Sequence, residues 1–325
     1  MKQIIALDPV TYKRHLIHGE DRTWAETNCY VDVWIETLHA FGYEPIAALP
    51  FTFAIDFEGD QWTFFKFPLL DLNELYGIDV QELAIWRPLE THIEEQVGRG
   101  RPVLVELDSF YLPDTQGTAY KFAHVKSTVS VIEIDTVRKH MGYFHNQGYY
   151  HVDGDDYLDL LRLRGVPDPA MLPPYVEFVK FHPGLKSGEG KALLERSLKV
   201  LKKQLRLIPA ENPFPIFKAR FEHDLQWLLN EPIETFHLYS FATLRQFGAC
   251  YELSATYLRW LIAQGETGLE SILQDFISLS DNAKAMQFQL ARAMARKKPL
   301  DLSTIDSMSD SWQRGTAALK QRYLA

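Results

Sequence analysis

Only two cysteines occur in the 325 residues, Cys29 and Cys250, far apart in the chain. That excludes a disulfide framework and a four-cysteine zinc knuckle, and it fits a reducing cytoplasm. No apolar run reaches the ~18 residues that a membrane span needs. The opening Met1-Lys2-Gln3-Ile4-Ile5-Ala6-Leu7-Asp8-Pro9 has too short an apolar stretch for a signal peptide. Positive charge is in deficit: 34 Lys and Arg against 43 Asp and Glu give a net charge of -9, which argues against non-specific nucleic-acid binding, though not against a local basic patch. There is no GxSxG nucleophile elbow, no internal repeat and no low-complexity segment. Gly184 to Ala192 superficially resembles a phosphate loop, but its glycine spacing is wrong and Ala192 stands where Ser or Thr is required. The 46% hydrophobic content, against 24% charged, describes a globular chain with a sizeable core.

The most informative stretch is Thr27-Asn28-Cys29-Tyr30-Val31-Asp32. Tyr30, Val31, Trp34, Ile35, Leu38 and Phe41 recur at helical spacing, with a polar start signal at Thr27-Asn28 and a stop at Gly42. With Asn28 as N-cap, Cys29 takes the first helical position, where free N–H groups and the helix dipole favour a thiolate. A lone thiol is more often simply a buried one. Cys250, early in a long amphipathic stretch, reads as a buried helical cysteine.

Along the chain, residues 1–23 read as an irregular lead-in with two unassigned histidines, His15 and His18. Gly59-Asp60 signals a hairpin-like turn. Pro88 opens a helix that ends in Gly98-Arg99-Gly100, and Pro102 to Asp108 is a buried strand. His124 opens a β-type run to Ile134. Two further strands, 141–145 and 149–152, are joined at Asn146-Gln147-Gly148, and Asp155-Asp156 caps a helix. Residues 165–190, rich in Pro and Gly, read as a linker. From Lys191 the pattern is helical, with candidates at 191–207, 213–229, 233–247, 249–264, 268–297 and from about 309. The expected organisation is α+β over 1–164, a linker over 165–190 and an all-helical domain over 191–325.

The order Cys at a helix start, His opening a strand, polar residue after the next strand is the order of papain-like enzymes. Cys29 would be the nucleophile and His124 its base. Asn146 would orient the imidazole, with Asp108 as the alternative and Asp135 a third option. The Cys29 N–H and the Asn28 side chain would form the oxyanion hole. Arg245 and Glu252, seven apart on one helix face, form a candidate pair for a polar end of the substrate; a structural ion pair is the simpler reading. His140, His145, His151, Asp153, Asp155 and Asp156 crowd one short stretch, but their spacing fits neither HExxH nor an EF-hand loop. Strand alternation and helix capping account for them, so no metal is expected.

Thr27-Asn28-Cys29-Tyr30, the run from Gly100-Arg101-Pro102 to Tyr111-Leu112-Pro113, and His124 opening a strand together resemble the amino-terminal domain of the butirosin biosynthesis protein H type of acyltransferase. That family is itself similar to papain-like and bacteriocin-processing cysteine peptidases, and a helical domain follows in it too. The chain also resembles a bacterial family of this length associated with carrier-protein-dependent biosynthesis. The resemblance covers roughly residues 25–160, and the third triad member lies further from His124 than in the bacteriocin-processing peptidases. It implies a papain-like domain followed by a helical one, with the site in a cleft. The implied activity moves an acyl or aminoacyl group from a carrier-protein thioester to an amine through a Cys29 acyl-enzyme. The partners would be a carrier protein, with its phosphopantetheine arm, and a small amine; no cofactor, nucleic acid or membrane is implied. A cysteine hydrolase (peptidase, amidase or thioesterase) and a non-catalytic scaffold on the same fold are the alternatives.

Overall fold

The computed structural model describes residues 1–25, 27–165, 172–182 and 190–325. The chain forms two compact units. The first comprises Met1–Gly19, Asn28–Glu44 and Leu72–Ser187; the second comprises Glu20–Thr27, Pro45–Asp71 and Gly188–Ala325. The architecture is α+β: an antiparallel-sheet domain followed by a helical C-terminal region.

The sheet contains β1 (Lys2–Gln3), β2 (Ile78–Glu82), β3 (Val103–Asp108), β4 (Lys126–Asp135), β5 (His140–His145), β6 (Gly148–Asp153) and β7 (Val176–Phe181). Its order is β2-β7-β3-β4-β5-β6, with β1 added to the far end of β4, and all pairings are antiparallel. Side chains alternate across the pleat. Val103, Val105 and Leu107 of β3 and Val129 and Val131 of β4 therefore share one face with the helices α3 (Leu89–Gly98) and α4 (Gly154–Leu160). The opposite face carries Ile132, Phe144 and Tyr149, packed against Ala40 and Phe41 at the end of α1 (Cys29–Ala40). Between Val131 and Glu133 the register of β4 against β5 slips by one residue, a bulge that turns Ile132 and Glu133 to the same side.

α1 is buried along nearly its whole length, including the polar Asp32 and Glu36. Their partner is His18, one of the two histidines the sequence left unassigned: its Nε2 lies 3.2 Å from Asp32 and its Nδ1 bonds Glu36. His15 N–H also donates to Glu36, at 3.1 Å. Burial alone would lower the His18 imidazole, but the hydrogen bonds and charges of the two carboxylates outweigh it and raise its pKa.

Three sequence expectations change. Residues 165–190 are not a linker throughout: Val176–Phe181 is the strand β7, bonded between β2 and β3, because its alternating Val176, Phe178 and Lys180 suit a pleat despite the flanking prolines. The rest of that stretch, apart from Gly165, 172–175, His182 and Gly190, lies outside the described residues, as does most of the phosphate-loop look-alike. The lead-in is not wholly irregular, since Lys2 and Gln3 pair with Ile134 and Glu133. Finally, Gly248 does not separate two helices.

The helical unit contains α5 (Lys191–Leu205), α6 (Pro213–Leu228), α7 (Ile233–Ser240), α8 (Gln246–Ala263), α9 (Glu270–Arg296) and α10 (Ser303–Leu324), with a π-helical turn at Phe241–Arg245 leading into α8. Gly248 lies inside α8, where a Cβ would come within 2.4 Å of the Trp24 ring. A helical glycine serves there because the indole needs the room. Cys250 is fully buried in α8, its Sγ 3.5 Å from the Thr52 carbonyl oxygen, and burial pushes its thiol pKa well up. Among the described residues no helix is long and apolar enough to cross a membrane.

Candidate active site

Asn28 caps α1, its side-chain oxygen accepting from the Val31 N–H at 3.0 Å. Cys29 is thus the first residue of the helix. Its thiol is partly exposed and lies 3.8 Å from the Thr128 hydroxyl. Thr128 pairs with Glu106 across β3 and β4, so Glu106 and, two residues on, Asp108 project from the same sheet face as Thr128.

Asp108 holds His124. Its Oδ2 accepts from the imidazole Nδ1 at 2.6 Å, and the ring stacks on Phe110 with centroids 4.4 Å apart. The imidazole is 67% exposed. No hydrogen bond joins His124 to Cys29: β4 begins at Lys126, so His124 does not open the strand but lies in the segment before it, four residues ahead of Thr128. Asn146 is the first turn residue between β5 and β6, at a left-handed φ of 47° that Asn tolerates well, and it has no bond to His124. Asp135 lies at the other end of β4, its Oδ1 accepting from the N–H groups of Val137 and Arg138. The geometry therefore pairs His124 with Asp108 rather than with Asn146 or Asp135.

Beside the pair opens a cavity of about 990 Å³, lined by Asp108, His124, Tyr111 and Lys126 on its polar side and by Leu89, Leu160 and other apolar residues beneath. Lys126 is bonded to Glu106 at 2.7 Å. The volume suits a small organic ligand or a cofactor-sized arm.

Arg245 and Glu252 do not pair with each other. Glu252 accepts from Arg22 Nη2 at 3.0 Å, from Thr23 N–H at 2.8 Å and from Trp24 N–H at 3.1 Å. Arg245 Nε donates to the Thr27 carbonyl at 3.3 Å, and its guanidinium lies over Phe241. Both side chains anchor the Glu20–Thr27 segment within the helical unit.

One constellation had no signal in the sequence. Ser127 Oγ lies 2.5 Å from His145 Nε2, and His145 Nδ1 lies 2.5 Å from Asp114 Oδ2. Tyr143 donates to the other Asp114 oxygen at 2.6 Å, and burial, with the Asp114 charge beside it, pushes the Tyr143 hydroxyl pKa up. These residues alternate with the Cys29-facing set, so they lie on the opposite sheet face. The order Asp, Ser, His, with no glycine elbow, matches no linear signature; only the β4–β5 pairing brings them together. His145 is 1% exposed, which makes this a buried relay.

Family models match residues 13–181 as the DUF1839 N-terminal domain and residues 190–321 as the DUF1839 C-terminal domain. No curated protein matches the chain with significance. The matched segments follow one another along almost the whole sequence, so the chain belongs to the two-domain DUF1839 family.

Proposed function

We propose that the N-terminal unit is a papain-like cysteine acyltransferase that moves an acyl or aminoacyl group from a carrier-protein thioester to an amine. The observation that carries the reading is the Asp108–His124 bond of 2.6 Å, on the sheet face toward which the Cys29 thiol also points. His124, fixed in one tautomer by Asp108, takes the proton of Cys29. The thiolate attacks the thioester carbonyl; the carrier thiolate leaves and takes that proton from the imidazolium. An amine then attacks the acyl-Cys29 carbonyl, gives a proton to His124, and the Cys29 thiolate is expelled. The chemistry requires the exposed imidazole to leave Phe110 and, with the segment before β4 that carries it, to move toward the sulfur. Hydrolysis of the same acyl-enzyme is the competing outcome, favoured by the exposure of His124 to water.

The test is intact-protein mass spectrometry after incubation with an acyl N-acetylcysteamine thioester. The expected result is one acyl adduct on Cys29, absent in Cys29→Ala and discharged by added amine faster than by water. An unchanged adduct in Cys29→Ala overturns the reading.

A second reading rests on the Ser127–His145–Asp114 chain, which is hydrogen-bonded end to end. Ser127 would then be the nucleophile of a hydrolase. A fluorophosphonate probe that labels wild type and Cys29→Ala but not Ser127→Ala would establish it.

A further inference from the structure

We propose that Glu133, His140 and His151 form a binding site for a divalent transition-metal ion of the zinc type. The three come from three neighbouring strands. Glu133 of β4 pairs with Gly142 of β5, which pairs with His151 of β6, and His140 lies two residues from Gly142 on the same face. One ligand atom from each lies within 4.8 Å of the others. His140 Nε2 is 3.4 Å from Glu133 Oε1, and His151 Nε2 is 3.9 Å from Glu133 Oε2. Ligand atoms around a tetrahedral ion with bonds of about 2.1 Å stand about 3.4 Å apart, so the set closes on an ion with small side-chain adjustments.

The surroundings are those of a metal site. His140 Nδ1 is 2.5 Å from Asp153 Oδ1, which turns Nε2 and its lone pair toward Glu133. A carboxylate behind a histidine in this way is the usual outer partner of a ligating imidazole. Glu133 Oε2 accepts from the Tyr149 hydroxyl at 2.8 Å and from Gln3 Nε2 at 3.0 Å, which fixes the carboxylate. Gly142 makes this possible: a Cβ there would fall 2.1 Å from the Tyr149 hydroxyl oxygen. His151 Nε2 is buried without a hydrogen-bond partner among the described residues. Two imidazole nitrogens and a carboxylate thus converge on one point, an arrangement that a cation resolves.

Two nitrogens and one oxygen are the donors that zinc, cobalt(II) or iron(II) prefer; calcium and magnesium want oxygen alone. His140 and His151 are 18% and 31% exposed, so an ion has a way in and a fourth position is open to water. The sequence expectation of no metal followed from linear spacing among residues 140–156, and the carboxylate that completes the set is on another strand.

The test uses the full chain, stripped with chelator and dialysed. Zn²⁺ is titrated in competition with a chromogenic chelator, and Co²⁺ is added separately for its visible absorption. The expected result is one tight equivalent with tetrahedral Co²⁺ bands. His140→Ala and His151→Ala should each weaken binding more than ~100-fold, and Asp153→Asn should weaken it about 10–100-fold while keeping one equivalent. His223→Ala, an exposed histidine on α6, should leave it unchanged. Absence of a tight equivalent overturns the proposal. So does a Zn²⁺ affinity that Asp153→Asn, with native circular dichroism, and both alanine variants leave untouched.

Discussion

Asp108 Oδ2 accepts the Nδ1 proton of His124 at 2.6 Å, and Asn146, the other candidate for that position, has no bond to the ring. The two carboxamide and carboxylate variants therefore separate cleanly. Asp108→Asn should lower the rate of Cys29 acylation by ~10²–10⁴, because the wrong tautomer then faces the thiol. Asn146→Ala should stay within about 3-fold of wild type, since a turn residue carries only local strain. Stopped-flow acylation with the thioester probe measures both.

His18 between Asp32 and Glu36 predicts a pH-dependent stability. Its pKa is raised in the folded state, so its contribution is complete below the unfolded value of about 6.5 and is lost as pH rises through the higher folded value. Urea unfolding midpoints should fall on the alkaline side. His18→Gln should cost about 3–5 kcal/mol at neutral pH by removing the imidazolium charge that balances two buried carboxylates, and should abolish that alkaline loss. A midpoint independent of pH in wild type would contradict the assignment.

Glu252 satisfies Arg22 and two backbone N–H groups of the Glu20–Thr27 segment. Glu252→Ala should destabilise the fold by about 2–4 kcal/mol and speed hydrogen exchange at Thr23 and Trp24. Arg245→Ala, which removes the longer bond to Thr27 and the guanidinium over Phe241, should cost less.

Gly248→Ala tests the approach of Trp24 to α8. The added Cβ would meet Trp24 Cζ2 at 2.4 Å and the Ala283 Cβ at 2.9 Å. The indole cannot retreat without giving up its 3.0 Å bond to the Ser280 hydroxyl. A loss of about 1–3 kcal/mol is expected, although alanine is the better helix former. Calorimetric melting provides the number; an unchanged or higher melting temperature would show that the ring moves freely.

The sequence was most legible where local chemistry decides structure. Asn28 before an apolar-periodic run announced α1 and its cap, and the helical candidates after Lys191 lie close to α5 through α10. It was least legible where distant strands decide. β7 was hidden because Pro173 and Pro174 draw attention away from the short alternation that follows them. Asp108 and His124 are sixteen residues apart, and only the β3–β4 pairing sets them side by side. The Ser127–His145–Asp114 relay and the Glu133–His140–His151 cluster depend on register across β4, β5 and β6, which composition and spacing do not encode.

The slip between Val131 and Glu133 gives β4 two independent halves. Before it, even-numbered positions such as Thr128 look toward α1; after it, the odd-numbered Glu133 does. Deleting Ile132 would close the bulge into plain alternation, with Glu133 still opposite Gly142 on the α1 side and the environment of Cys29 left in place. One extra residue thus adds an apolar side chain, Ile132, to the wall between two polar outposts, Thr128 and Glu133, each open to change without disturbing the other.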